Sequence, residues 1–194
     1  EFDCSVISLA FIQDGIEVMA ENTIKTLESK RAFFDVLERF FNKQEEHSHI
    51  GYGTYIGPNV KLGNNVRIGH NCSLDGDITI DDNTEIWDNI TIINKVKIGF
   101  NCTIQSGVRI GHDDYGYTED ENHVKTMIRH YGGVSIGDNV FIGPNCVIYR
   151  GTIDDTEIGD GTKIDALCLI SHNSKLEKHV SLVAGTLLYG STKI

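Results

Sequence analysis

The chain has no CxxC pair among its five cysteines, no apolar run of membrane-span length and no excess of basic charge. Each absence removes a class of protein. A zinc ribbon needs closely paired cysteines. A membrane helix needs about eighteen or more consecutive apolar residues. A nucleic-acid partner wants a basic face; here 28 acidic residues stand against 17 basic ones, a net charge of −11. The opening residues, EFDCSVISLA, lack the charged-then-apolar plan of a secretory signal. The chain is therefore read as a cytoplasmic protein with reduced thiols.

What is present is a period. Every sixth position from Ile50 to Ile110 carries Ile or Leu without a break; the pattern resumes at Ile136, Ile142 and Ile148, and again from Ile158 through Ile164, Ile170 and Leu176 to Ile194. Neither a helix nor an ordinary strand repeats in sixes. A Gly often follows the apolar residue, as at Gly57, Gly63 and Gly69, and four places after it comes a small or β-branched residue. This is the hexapeptide signature of a parallel β-helix, in which three hexads close one triangular coil of about eighteen residues. The fold class expected is an all-β solenoid with a small α+β N-terminal piece. The glycines and the Asn/Asp-Gly pairs suit turns that need positive φ. Cys72, Cys102, Cys146 and Cys168 fall on the small position and read as buried packing residues.

Residues 1–45 stand before the lattice. Two apolar runs flank Asp14-Gly15, a candidate hairpin turn. Residues 30–42 place Ala32, Phe33, Val36, Leu37, Phe40 and Phe41 on one helical face, with Ser29 as N-cap, and this helix should pack on the small sheet. Residues 42–49 read as a polar linker, and 46–194 as the β-helix. The lattice breaks between Ile110 and Ile136, so residues 112–133 should project as a loop. A smaller break, 151–157, shifts the lattice again.

Of eight histidines, seven read as turn, linker, loop or solvated residues, His112, His123 and His130 among them. His172 lies mid-face in a regular coil, where an imidazole fills no core and serves no turn. A neutral imidazole is a good general base. One coil later comes Gly190, whose N–H could approach a bound carbonyl closely. A base and an N–H donor in adjacent coils suit acyl transfer. Asp154 or Asp155, one coil below, could orient the ring. His172 and His179, seven apart, should occupy different faces, so no metal site is expected.

The stretches GHDDYGY (111–117) and GGVSIGDNVFIGPNCVIYRGTIDDTEIGDGTKIDALCLISHN (132–173) resemble the UDP-3-O-acylglucosamine N-acyltransferases, hexapeptide-repeat enzymes of the lipid A pathway. The resemblance covers about residues 21–194 and is most specific over 132–173. It implies a left-handed coil and a homotrimer. It also implies an acyl donor, either acyl carrier protein with its 4'-phosphopantetheine arm or acyl-CoA, and a nucleotide-linked amino sugar as acceptor, with no tightly bound cofactor. By the same resemblance His172 is the general base, Gly190 offers its N–H to the oxyanion and Asp165 supports them. Tyr115, Gly116, Tyr117 and Asn173 contact substrate. Residues 1–45 become a remnant of a substrate-binding domain.

Departures accompany the likeness. Tyr149 stands where the family usually has Asp before Arg-Gly, and the family's larger N-terminal domain and last coils have no counterpart in these residues. The chain is thus expected to be shortened at both ends or divergent. Two rival readings stay open. One is an acetyl-CoA-dependent amino-sugar N-acetyltransferase for surface polysaccharide; the other is a structural or regulatory β-helix whose His172 is incidental.

Overall fold

The computed structural model describes residues 9–18, 20–41 and 49–194. The chain divides into two compact units, Glu1–Glu46 and His47–Ile194. Cys4 and nearly all of the linker expected over 42–49 lie outside the described residues.

In the first unit, β1 (Leu9–Ile12) and β2 (Asn22–Lys25) pair in parallel, Leu9 opposite Asn22. The turn at Asp14-Gly15 does form, with Ile16 N–H donating to the Gln13 carbonyl at 3.1 Å. The hairpin does not. Residues 13–21 separate the strands, more than the two to five of a hairpin loop, and they carry the chain back so that both strands run the same way. Helix α1 spans Ser29–Phe41. Ser29 opens the helix rather than capping it: Ala32 N–H donates to the Glu28 carbonyl, and Thr26 Oγ1 accepts from Glu28 N–H. The aromatic face meets the sheet through Phe33, edge-on to Phe11 with ring centroids 6.1 Å apart. Phe40 and Phe41 stay exposed, so the expected packing is confined to the helix's first half.

The second unit is a three-sided parallel solenoid. Seven short strands, His49–Ile50 through Ser181–Leu182, stack as one face. The other two faces form one eleven-stranded sheet, because Ser73–Ile80 and Thr91–Ile98 run unbroken across the corner between them. Lattice residues stack in columns; one runs Leu74, Ile92, Ile110, Ile148, Ile170, Leu188. The columns fill the prism, and Leu74 through Ile170 in this one are fully buried. Each such side chain stabilises by roughly 1.5–3 kcal/mol relative to exposure.

The small positions seal the corners of this core. Cys72, Cys102, Cys146 and Cys168 are all buried free thiols, as their lattice position implies. Where Thr takes the position, its hydroxyl bridges coils: Thr84 Oγ1 donates to the Gly99 carbonyl at 2.8 Å and accepts from Cys102 N–H at 3.0 Å. The lattice glycines serve a different purpose from the one expected. Positive φ at the turns falls mostly on asparagines, such as Asn65, Asn83 and Asn101, whereas Gly57, Gly63 and Gly69 keep ordinary φ. Close stacking is what requires Gly: a Cβ at Gly69 would sit 2.7 Å from the Trp87 carbonyl carbon in the next coil.

The coil advance is 18 residues where the prism is regular, as between Asn64 and Asp82. It is 38 between Phe100 and Asp138, and 22 between Asp138 and Asp160. The first excess is the projecting loop, whose tip is an antiparallel pair, Tyr117–Glu119 with Lys125–Met127. The second is the break near residues 151–154. Both leave the prism at the same corner, the one between the two faces of the eleven-stranded sheet. Tyr131 N–H and Gly132 N–H, on the loop's return, donate to the carbonyls of Thr152 and Gly151 at 2.8 and 3.0 Å.

Burial raises the Cys146 thiol to about 11. The folded state therefore holds a proton that the unfolded chain releases near the ordinary thiol value, and this contribution to stability is lost as pH rises from about 9 through 11. Alkylation of the four lattice cysteines by iodoacetamide should be negligible at pH 8 in buffer and complete in denaturant. Rapid labelling of the native chain would show that the coils open.

Candidate active site

His172 is not mid-face as its place in the repeat suggests: it follows the strand Leu169–Ile170 and forms a turn with Asn173, whose φ is 57°, at the corner where both excess segments emerge. Its backbone N–H donates to Asp114 Oδ2 at 3.1 Å. Its Nδ1 lies 3.1 Å from Asn173 Oδ1. That amide is oriented by its neighbours: Oδ1 accepts from Thr152 N–H at 3.0 Å and Nδ2 donates to the Asp154 carbonyl at 3.2 Å. An acceptor facing Nδ1 places the ring proton there, which leaves a lone pair on Nε2.

Nε2 faces the next coil at Gly190. A Cβ built on Gly190 would fall 2.5 Å from Nε2, so only Gly leaves room for the imidazole. Ser191 N–H holds the coils together by donating to the His172 carbonyl at 2.8 Å. Among the described residues, the Gly190 N–H has no hydrogen-bond acceptor. The 18-residue spacing thus places a lone pair and a free N–H side by side.

Asp165 is not brought to this corner. It follows the strand Lys163–Ile164 of the seven-stranded face, and its carboxylate folds back on Ala166 N–H at 2.7 Å. Its expected support of His172 is not made within one chain. Asp155 is spent on Lys95 and on Gly133 N–H, and Asp154 reaches Asn173 only through its carbonyl. The carboxylate at the site is Asp114, 7% exposed. Burial pushes its pKa up, but hydrogen bonds from Ser171, His172 N–H and Tyr115 N–H outweigh this and hold it below the usual carboxylate range. Asp114 ties the root of the projecting loop to the His172 turn.

Of the residues expected to contact substrate, Tyr115 and Tyr117 are exposed, their rings 5.0 Å apart edge to face. Gly116 lies beside His130, whose Cε1 would be 3.9 Å from a Gly116 Cβ. Asn173, also expected to contact substrate, uses its amide inside the chain to hold the imidazole and the 152–154 segment in place.

His130 reads as a loop histidine in sequence but is 4% exposed, and its ring centroid lies 5.4 Å from that of His172. No signal marks it, because the loop has no lattice against which a buried position stands out. The adjacent acids of "HDD" are the one hint of Asp114. His112, in register with Tyr149, also points inward: its Nδ1 is buried without a partner among the described residues. Burial and the Arg109 charge lower the His112 pKa against the pull of Asp113.

Two family models match the repeats: "Bacterial transferase hexapeptide (six repeats)" over residues 45–76 and "Hexapeptide repeat of succinyl-transferase" over 133–166. The chain is 44% identical over 95 residues to the UDP-3-O-acylglucosamine N-acyltransferase of Shewanella denitrificans, covering 49% of this chain and 28% of that one. It is 47% identical over 96 residues to UDP-3-O-acylglucosamine N-acyltransferase 2 of Legionella pneumophila, covering 49% and 27%. The matched segment spans under a third of those relatives' length. Among solved structures, the UDP-N-acetylglucosamine acyltransferase of Bacteroides fragilis superposes with a TM-score of 0.64 at 26% identity, covering 72% of this chain and 52% of that one. The resemblance read from the sequence is borne out over about half of the chain rather than over all of residues 21–194, and the fold is that of the left-handed β-helix hexapeptide transferases.

Asp114→Asn should keep the circular dichroism of the prism but weaken charge-assisted bonds to the His172 turn, lowering stability by about 1–3 kcal/mol in urea titrations. Because the Asp114 carboxylate titrates below its unfolded value of about 4, its contribution is present above that pH and fades as pH falls through the folded value. The gap between wild type and variant should therefore close in acid; a gap independent of pH would show that the carboxylate charge is not what holds the turn.

Proposed function

We propose that the chain is the catalytic prism of an N-acyltransferase, moving an acyl group from a thioester donor to the amine of a nucleotide-linked amino sugar of the UDP-3-O-acylglucosamine type. The observation that carries this reading is the His172 Nε2 lone pair set against the Gly190 backbone. The attacking amine forms a bond to the thioester carbonyl carbon and gives its proton to His172 Nε2. The carbonyl oxygen becomes an oxyanion and accepts the Gly190 N–H. Collapse of the tetrahedral intermediate breaks the C–S bond, and the thiolate takes the proton back from Nε2. Throughout, Asn173 Oδ1 keeps the Nδ1 proton in place, and the Asp114 carboxylate holds the turn. Removing an oxyanion donor of this kind typically costs about 10²–10³ in rate.

The names of the relatives support the acceptor class. Within the same reading, the donor is acyl carrier protein or acyl-CoA, the enzyme is a cytoplasmic homotrimer with its clefts between subunits, and the loop over 112–133 covers the acceptor through Tyr115 and Tyr117. Residues 1–45 then belong to a substrate-binding domain and 46–194 to the prism. Asp165, remote from its own chain's His172, has a supporting role only if it faces the neighbouring subunit.

His172→Ala should lower amide formation from acyl donor and UDP-amino sugar by about 10²–10⁴-fold, with unchanged circular dichroism because the ring leaves the core columns intact. Near wild-type turnover in a folded variant would remove His172 as the base. Light scattering at micromolar concentration should give three times the chain mass; a single-chain mass would rule out clefts shared between subunits.

A further inference from the structure

Residues 115–129 of the projecting loop are exposed apart from half-buried Gly116, and the buried residue that ends them is a histidine. His130 is not there for want of solvent, since the loop around it has plenty. Its backbone neighbours pin it: Tyr131 N–H and Gly132 N–H bond the Thr152 and Gly151 carbonyls, and Arg150 Nε donates to the Gly132 carbonyl at 2.7 Å. Its Nδ1 lies 3.1 Å from the Ile128 carbonyl, an acceptor only, so Nδ1 carries the proton and Nε2 the lone pair. Among the described residues Nε2 has no hydrogen-bond donor, and it is not among their buried unpartnered atoms. The ring's small accessible part therefore includes that nitrogen. The same assignment holds for His172, so two imidazoles at 5.4 Å each present an unpaired lone pair at one corner.

We infer that His130 is a specificity-determining residue that accepts the second N–H of the attacking amine, so that the site selects an amine over a hydroxyl nucleophile. The inference rests on the N-acyl transfer reading. A neutral primary amine attacks with its own lone pair and keeps two N–H bonds. One goes to His172 Nε2, which removes that proton; the other goes to His130 Nε2, which removes nothing. A hydroxyl has a single O–H. Once that is given to His172, the lone pair on His130, itself 4% exposed, is left unpaired, and an unpaired polar group on a buried residue is costly.

The test compares UDP-glucosamine acylated at O-3 with the corresponding UDP-glucose, which carries a hydroxyl in place of the amine. Acyl carrier protein and CoA thioesters serve as donors. The proteins are wild type, His130→Phe and His130→Gln, with thermal melts as the folding control. Phe keeps an aromatic ring against His172 but removes the acceptor; Gln restores an acceptor oxygen. Wild type should favour the amine. His130→Phe should lower the amine-to-hydroxyl ratio of kcat/KM by about 10–100-fold, and His130→Gln should recover most of it. A Phe variant that keeps the wild-type ratio, whether its rates are intact or both reduced together, would overturn the inference and leave N-acyl transfer standing. A folded wild type that acylates neither sugar would overturn both.

Discussion

Each coil hydrogen-bonds to the next at a fixed advance, and the rest of the molecule depends on that stacking. Because Ile98 must lie over Ile80 and under Ile136, any residues beyond the 18 of a coil have to leave the prism, and they can leave only where the strand path bends. Both excess segments leave at one corner. The regular coils satisfy their polar groups internally, Thr84 with Gly99 and Cys102, Thr162 with the Glu177 carbonyl at 3.1 Å. At the corner of the excess segments that closure fails. There the unspent groups collect: Nε2 of His172 and of His130, the Gly190 N–H and the buried Nδ1 of His112.

This explains what the sequence reveals and what it hides. The Ile/Leu lattice, the buried cysteines and the loop are legible because a fixed period turns position into environment. His172 and Gly190 are legible for the same reason: both lie in regular coils, and their spacing of one coil makes them neighbours. Asp114 and His130 are not. They sit in a segment without a period, and their burial follows from hydrogen bonds between the loop's return and residues 151–152, a contact that no local pattern encodes. The parallel pairing of β1 and β2 was hidden for a related reason. The Asp14-Gly15 turn is a local signal and it forms, but strand direction depends on where residues 16–21 go afterwards.

The position of Asp165 has a different explanation. It follows the lattice residue Ile164 and stands seven residues before His172, a spacing that puts the two on different faces. Only the resemblance gave it a role. The structure agrees with the count within one chain and supplies another carboxylate instead, carried by the loop. The support for the histidine turn thus comes from the least regular part of the prism, through the Asp114 bond to His172 N–H. Any rearrangement of the loop root acts directly on the His172 turn.

Gly69 and Gly190 show how one residue type serves two ends in this fold. At Gly69 the missing Cβ lets two backbones approach, with the Trp87 carbonyl carbon 2.7 Å from where that atom would be. At Gly190 the space is taken by the His172 ring, Nε2 at 2.5 Å from the same notional atom. A histidine at this corner of the prism has no room unless the coil above gives up a side chain. Once it does, the ring nitrogen and the bare N–H are adjacent with no further adjustment. The pair is therefore one device rather than two residues that happen to meet. A β-helix suits it because both members are fixed by ladders of backbone bonds on either side, Ser171 to Leu188 and Ser191 to His172. Electrostatic stabilisation of a transition state depends on groups that need not reorganise as charge develops. A ring lone pair and a bare N–H locked in consecutive coils meet that condition without rearrangement, and in the proposed reading the projecting loop is left to choose which nucleophile is admitted.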